Sequence, residues 1–282
     1  EAVPDVYQGG ASFGYQPFYA YAPLNLLLST PAKVLFGDYR AGMVLALAGA
    51  LLLLRRSGQA LGLSAHRIDL LTFAFVLHPS VPRLLNYGWM EPYLILLLAG
   101  FVYLHATGRR GPLATLLLVS MPLVKQYFAV PVLLHFALLR PRMRTVALAL
   151  LGVFVALSPL LLWNFDATVR HGLLFFVQRT WFRPDSLSVP AAVFHLTGYR
   201  SGVLTSFVVQ CVAGGVAALL LARARTVSPL ARFLLASSTA LFASFLAARQ
   251  AFLNYYVFVG MTLLWAELAL RPPARDDGQD ER

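Results

Sequence analysis

The 282 residues are 59% hydrophobic and 12% charged, with 23 Lys and Arg against 12 Asp and Glu for a net charge of +11. A soluble domain carries about 25% charged residues, so this composition excludes an ordinary water-soluble fold. In so apolar a chain a basic balance reflects arginines in cytoplasmic loops and not a nucleic-acid footprint, and nucleic acid is set aside as a partner.

Apolar runs of roughly 20 residues match a hydrocarbon slab about 30 Å thick, which only helices or closed barrels cross with their backbone groups satisfied. The runs here are continuous rather than alternating, which selects helices. The expected fold is all-α, a polytopic transmembrane helical bundle with interfacial helices in its outer loops. The chain opens at Glu1 without an initiator Met, a charged n-region or a signal-like stretch, and a further membrane helix is expected upstream.

Residues 1–38 read as an outer loop. Tyr15, Phe18, Tyr19 and Tyr21 suit the headgroup level of a bilayer. Residues 23–37, interrupted by Pro31 and carrying Lys33, are short for a span and read as an interfacial helix, with a spanning helix as the alternative. Residues 39–270 then hold about nine spans, at 39–54, 69–84, 91–106, 112–124, 126–139, 146–163, 203–221, 229–247 and 251–269. The two spans flanking Lys125-Gln126 are short enough to form one broken or re-entrant pair.

Orientation follows from the loop cations. Arg55, Arg56 and Arg67, then Arg109 and Arg110, Arg140, Arg142 and Arg144, and Arg223, Arg225 and Arg232 fall at alternate turns, with Arg271, Arg275 and Arg282 in the tail. That side is cytoplasmic, and the protein is expected in the plasma (inner) membrane with its C-terminus inside. The outward side holds residues 1–38, the turn from His78 to Trp89, the Lys125 turn, a large loop 164–202 and the turn at Arg249. Residues 271–282 read as a solvated, disordered tail.

Ionisable groups at the edge of a span are costly and point to a functional pathway or a paired ion. Glu91 opens an apolar helix, where the helix dipole also favours a carboxylate. Lys125 suits a phosphate counter-charge or a snorkelling anchor. Arg249 precedes Asn254, Tyr255 and Tyr256, a polar and aromatic wall that suits a sugar or an interface belt. In the large loop, Phe175, Phe176, Trp181 and Phe182 alternate with Arg179 and Arg183, as in a segment lying on an anionic leaflet or a lipid phosphate, or in a solvated cap over the bundle. His78 and His195 have no metal-ligand partners at useful spacing, so no cofactor is called for and a divalent metal has no visible site. Cys211, within an apolar run, reads as a small core residue. The sequence has no phosphate-binding glycine loop and no nucleophile elbow, which weighs against nucleotide-driven transport and serine hydrolysis.

Tyr19-Ala20-Tyr21-Ala22-Pro23-Leu24 before an interfacial helix, Phe36-Gly37-Asp38, Gly88-Trp89-Met90-Glu91 entering a span, Lys125 before a Pro-containing span, and Arg249 through Tyr256 together resemble the GT-C membrane glycosyltransferases, in particular the family 87 and mannosyltransferase-like branch. The resemblance covers most of the chain. It implies an inverting transferase acting on a polyprenyl-phosphate-linked sugar at the outer face, with a glycolipid or glycan acceptor and membrane lipids as partners. In such enzymes the basic Asp soon follows the first span. No such span is present here, and Asp5 aligns with a later part of that loop, so the family's base is expected upstream of Glu1, and Glu91 and Asp5 are the candidates to substitute for it. Lys125, Arg249 and Arg83 are then the candidates for the donor phosphate, and Tyr21, Trp89, Gln126, Asn254 and Tyr255 for sugar and acceptor. The alternative is a non-catalytic membrane protein or a lipid-linked sugar flippase.

Overall fold

The computed structural model describes residues 23–169, 184–223, 227–249 and 251–270, and every regular element among them is helical. The aromatic and arginine alternation at 175–183, the tail, Asp5 and Tyr21 lie outside the described residues.

Helix α1 (Leu24–Phe36) contains Pro31 and stops at Gly37, whose φ of 72° is the left-handed geometry that ends helices. The Gly37 N–H donates to the Lys33 carbonyl at 3.0 Å, while Val34, Leu35 and Phe36 stay exposed. Helix α2 (Arg40–Ala60) follows, then α3 (Ala65–Val76), started by Ser64, whose hydroxyl accepts the Arg67 N–H.

The single span expected over 69–84 is divided. Helix α3 ends at Val76 and α4 (Val81–Asn86) begins after a turn. Pro79 lacks an N–H and disfavours helical geometry at His78, so the ladder cannot continue although the hydropathy does. After α5 (Glu91–Ala106), the region 112–139 is a broken pair: α6 (Pro112–Val119), two 3-10 turns at Met121–Leu123 and Gln126–Phe128, and α7 (Ala129–Leu138). Then come α8 (Met143–Trp163), α9 (Val189–Thr197) within the large loop, α10 (Val203–Ala222), α11 (Pro229–Leu246) and α12 (Leu253–Ala269).

Among the described residues, four helices are long and apolar enough to cross a membrane: Arg40–Ala60, Met143–Trp163, Val203–Leu221 and Pro229–Leu246. The others are shorter. Helix α5, at 16 residues, rises about 24 Å.

Helix α5 is apolar on every side and buried along most of its length, which makes it the axis of the bundle. It packs against α2 and α12, and α12 packs in turn against α11. Phe101 on α5 meets Phe233 on α11, and Phe128 meets Phe258 on α12 edge-on, with ring centroids 5.3 and 4.4 Å apart. Trp265, Phe101, Phe128, Phe233 and Phe258 are the bulkiest fully buried side chains.

Helices α8 and α10 sit outside this core. Only 11% and 17% of their apolar windows are covered, so most of their hydrophobic surface is open. Helix α10 turns a stripe of small residues inward: Ser206, Gly214 and Ala218 are buried against α11. A β-carbon on Gly214 would lie 3.2 Å from the Ala240 carbonyl, so the two backbones approach closely. Cys211, expected in the core, is exposed at the flank of this stripe beside Val208 and Val212. An apolar run does not by itself say which of its faces points inward.

The two ends of the bundle differ. At the end of α12 the Arg67 guanidinium donates to Glu267 Oε1 at 2.7 Å, to the Glu267 carbonyl at 2.8 Å and to the Leu270 carbonyl at 3.0 Å, and Ser228 donates to the Ala269 carbonyl. A cation there complements the helix dipole. At the start of α12, Ala251 and Leu187 are joined by a backbone hydrogen bond of 2.7 Å, and Ser186 bonds the same Ala251, which fastens the large loop to that end.

Candidate functional site

Glu91 stands in the first turn of α5, next to Pro92, whose missing N–H costs nothing at a helix start. Gly88, with φ of 63°, turns the chain from α4 into α5 beneath the Tyr39 side chain. Glu91 is fully buried. Isolated, its charge would be very costly there, and the fold supplies partners from two distant segments.

The Lys125 ammonium, buried at the break between the two 3-10 turns, pairs with Glu91 Oε1. The same oxygen accepts the Asn254 amide from the first turn of α12 at 2.7 Å and the Tyr127 hydroxyl at 3.2 Å. Lys125 Nζ also lies 5.0 Å from the ring centre of Tyr255 and 5.8 Å from that of Tyr127, within range of the negative ring faces. Tyr127, Tyr255 and Phe245 pack mutually, with centroids 4.6 to 5.1 Å apart.

Among the described residues Glu91 Oε1 thus has three donors, whereas Glu91 Oε2 is buried and has none, and neither has Asn254 Oδ1. A buried acceptor without a donor costs about 1–3 kcal/mol. These two oxygens are the chemically open positions of the cluster: one is a carboxylate oxygen able to take a proton, the other an amide oxygen able to accept a hydrogen bond.

Of the residues singled out from the sequence, Glu91, Lys125, Asn254 and Tyr255 converge, and Gln126 is half-buried beside Lys125. Trp89, two residues ahead of Glu91, stacks on Tyr87 at 5.0 Å. Arg249 is half-buried in the turn before α12. Arg83 is exposed on α4 and has no ion pair or side-chain hydrogen bond to the cluster, so the structure does not join it to the site. Tyr127 was not singled out in the sequence. Its only signal is its place two residues after the buried lysine.

Asn254 and Glu267 are 13 residues apart on α12, about 20 Å of rise, so the cluster occupies the end opposite the Arg67 clamp. Between α11 and α12 an apolar groove of about 330 Å³ is lined by Phe242, Tyr256, Val259, Gly260 and Leu263. Phe245 touches both Tyr255 and Tyr256 and links groove to cluster.

A second polar group lies at the far end of α5. His105 Nδ1 is 3.0 Å from the Phe101 carbonyl, and His135 Nε2 is 3.3 Å from Thr115 Oγ1. No group of three or more His, Cys, Asp or Glu among the described residues is arranged to hold a metal ion. Comparison of the chain with family models, with curated proteins and with solved structures gives no match.

Proposed function

We propose that the protein is a multi-pass integral membrane glycosyltransferase, which moves a sugar from a polyprenyl-phosphate donor to a lipid or glycan acceptor at the outer face of the plasma membrane. The observation that carries this reading is the gathering of Glu91, Lys125, Asn254, Tyr127 and Tyr255 at one end of an apolar bundle, away from the Arg67 end. Intramembrane ionisable groups are retained where they serve a substrate path or a proton transfer.

In an inverting transfer the acceptor hydroxyl attacks the anomeric carbon. The new C–O bond forms as the bond to phosphate breaks, and the electron pair leaves on the phosphate. Glu91 Oε2, the oxygen without a donor, takes the hydroxyl proton. The Lys125 ammonium, with Arg249 in the neighbouring turn, supplies positive charge toward the departing phosphate. Asn254, Tyr255, Gln126 and Trp89 offer amide and aromatic surface to the sugar, and the groove beside Tyr256 accommodates part of the prenyl chain.

The uncovered apolar faces of α8 and α10 support immersion in lipid. Cys211, the chain's single cysteine, gives a direct check. In intact membranes it should resist a water-soluble maleimide, and it should react after solubilisation and denaturation. Rapid labelling in sealed membranes would place that face in water and overturn the membrane reading.

The transfer itself is tested with purified protein in vesicles containing a radiolabelled polyprenyl-phosphate hexose and a glycolipid acceptor. Release of polyprenyl phosphate with label on the acceptor is the expected result. The break at Lys125 between α6 and α7 also suits a flippase, since interrupted helices mark transport sites. Movement of intact donor across the vesicle without cleavage would replace the transferase reading with that one.

A further inference from the structure

Helix α1 reaches the cluster from a side that the catalytic reading does not use. Asn25, in its first turn, is fully buried, and its amide donates at 2.7 Å to the Val124 carbonyl, which belongs to the peptide leading into Lys125. One turn later, Ser29 contacts the sulfur of Met90, the neighbour of Glu91, at 3.9 Å. Helix α1 thus touches both segments that supply the buried ion pair. The Asn25 bond falls where the backbone ladder is interrupted. The Val124 and Lys125 N–H groups both turn back to the Met121 carbonyl, at 2.9 and 3.0 Å, and Lys125 is extended, with φ of −149° and ψ of 126°. In an uninterrupted helix the Val124 carbonyl would accept the Phe128 N–H. Here Phe128 donates to the Lys125 carbonyl at 3.1 Å, and the Val124 carbonyl accepts Asn25 instead. Val124 is fully buried, so its carbonyl is out of reach of bulk water and costly to leave without a donor. An amide carried on another helix meets that need while Lys125 stays extended.

We infer that Asn25 is a positioning residue, which acts through the Val124 carbonyl to hold the extended turn that aims the Lys125 ammonium at Glu91. Helical geometry at Lys125 would point its side chain in another direction, because successive side chains diverge differently in helix and in extended chain. The bond from α1 therefore fixes where the positive charge stands, 99 residues away along the chain. That the charge serves a departing phosphate rests on the transferase reading; the hold on Lys125 does not. A displacement of about 1 Å at a group that stabilises a transition state can cost about 10²-fold in rate, so a residue remote from the substrate can govern turnover in this way.

The test uses the full chain in nanodiscs and two readouts. The sequence holds two lysines, the exposed Lys33 and the buried Lys125, so reductive methylation with formaldehyde, followed by peptide mass spectrometry, gives the rate at Lys125 relative to an internal standard. Asn25→Leu, close in volume but without a hydrogen-bond donor, should raise that ratio about tenfold, the shift that one lost buried hydrogen bond produces in a local opening equilibrium. In transfer from polyprenyl-phosphate hexose, kcat should fall about 10–10²-fold, with KM for the sugar donor changed far less. Asn25→Ser, which keeps a donor on a shorter arm, should fall between wild type and Asn25→Leu in both readouts. Where Asn25→Leu does not fold, Asn25→Ala takes its place under the same criteria, and Asn25→Ser carries the test where neither folds. A variant with a lowered unfolding temperature but the wild-type labelling ratio and kcat makes Asn25 a strut only, and the inference falls. A change in only one of the two readouts, in a protein whose wild type transfers sugar, overturns it as well. A wild type without transfer, together with faster Lys125 labelling in the variant, overturns the transferase and leaves the hold on Lys125; no transfer and unchanged labelling overturn both.

Discussion

Lys125→Met is expected to destabilise the folded protein by about 3–5 kcal/mol, because it removes the only cation among the described residues that pairs with Glu91 and leaves a fully buried carboxylate with two neutral donors. The intact pair is not for that reason a large net stabiliser. Desolvation of both ions offsets most of their attraction, and an apolar pair of similar volume can match it. The double variant Glu91→Leu/Lys125→Met should therefore regain most of what the single variant loses. Thermal or denaturant unfolding of the three proteins in one detergent checks this. A single variant as stable as wild type, or a double variant no better than the single, would show that the two charges are not coupled in the fold.

The second large effect concerns turnover. Glu91→Gln preserves the shape of the side chain and an oxygen for Asn254 and Tyr127, but its amide cannot take a proton. If Oε2 is the proton acceptor in transfer, the rate should fall by about 10²–10⁴. The loss should appear in kcat more than in donor affinity, since the prenyl groove and the aromatic residues are untouched. Steady-state transfer with polyprenyl-phosphate hexose separates the two parameters. Unchanged kcat would remove Glu91 from the chemistry even if the enzyme class survived.

Much of this arrangement was legible in the sequence because charge is rare in it. Glu91 and Lys125 stand out against apolar neighbours, and Asn254 and Tyr255 stand out at the head of an apolar helix, so the scarcity of polar groups pointed to the residues that converge. Arg83 met the same criterion and does not converge, because the break at His78 and Pro79 puts it on a separate short helix whose outer face it occupies. That break was hidden, since hydropathy runs on across it while the backbone ladder does not. Tyr127 and Asn25 carried no comparable signal. A tyrosine or asparagine near a helix start is ordinary, and only the pairing across 36 and 99 residues gives each its place. Cys211 was misplaced for a related reason, because the inward face of α10 is marked by small residues and not by hydrophobicity.

The last described helix is the one on which both ends of the bundle close. Asn254 reaches Glu91 at its head, and Glu267, Ala269 and Leu270 receive Arg67 and Ser228 at its foot. A ribosome delivers that helix after every segment it fastens, so the growing chain holds Glu91 short of one donor and the Arg67 guanidinium without its acceptors until synthesis reaches residue 270. A chain cut before Leu253 has both faults at once, so the fold closes only when this helix is in place.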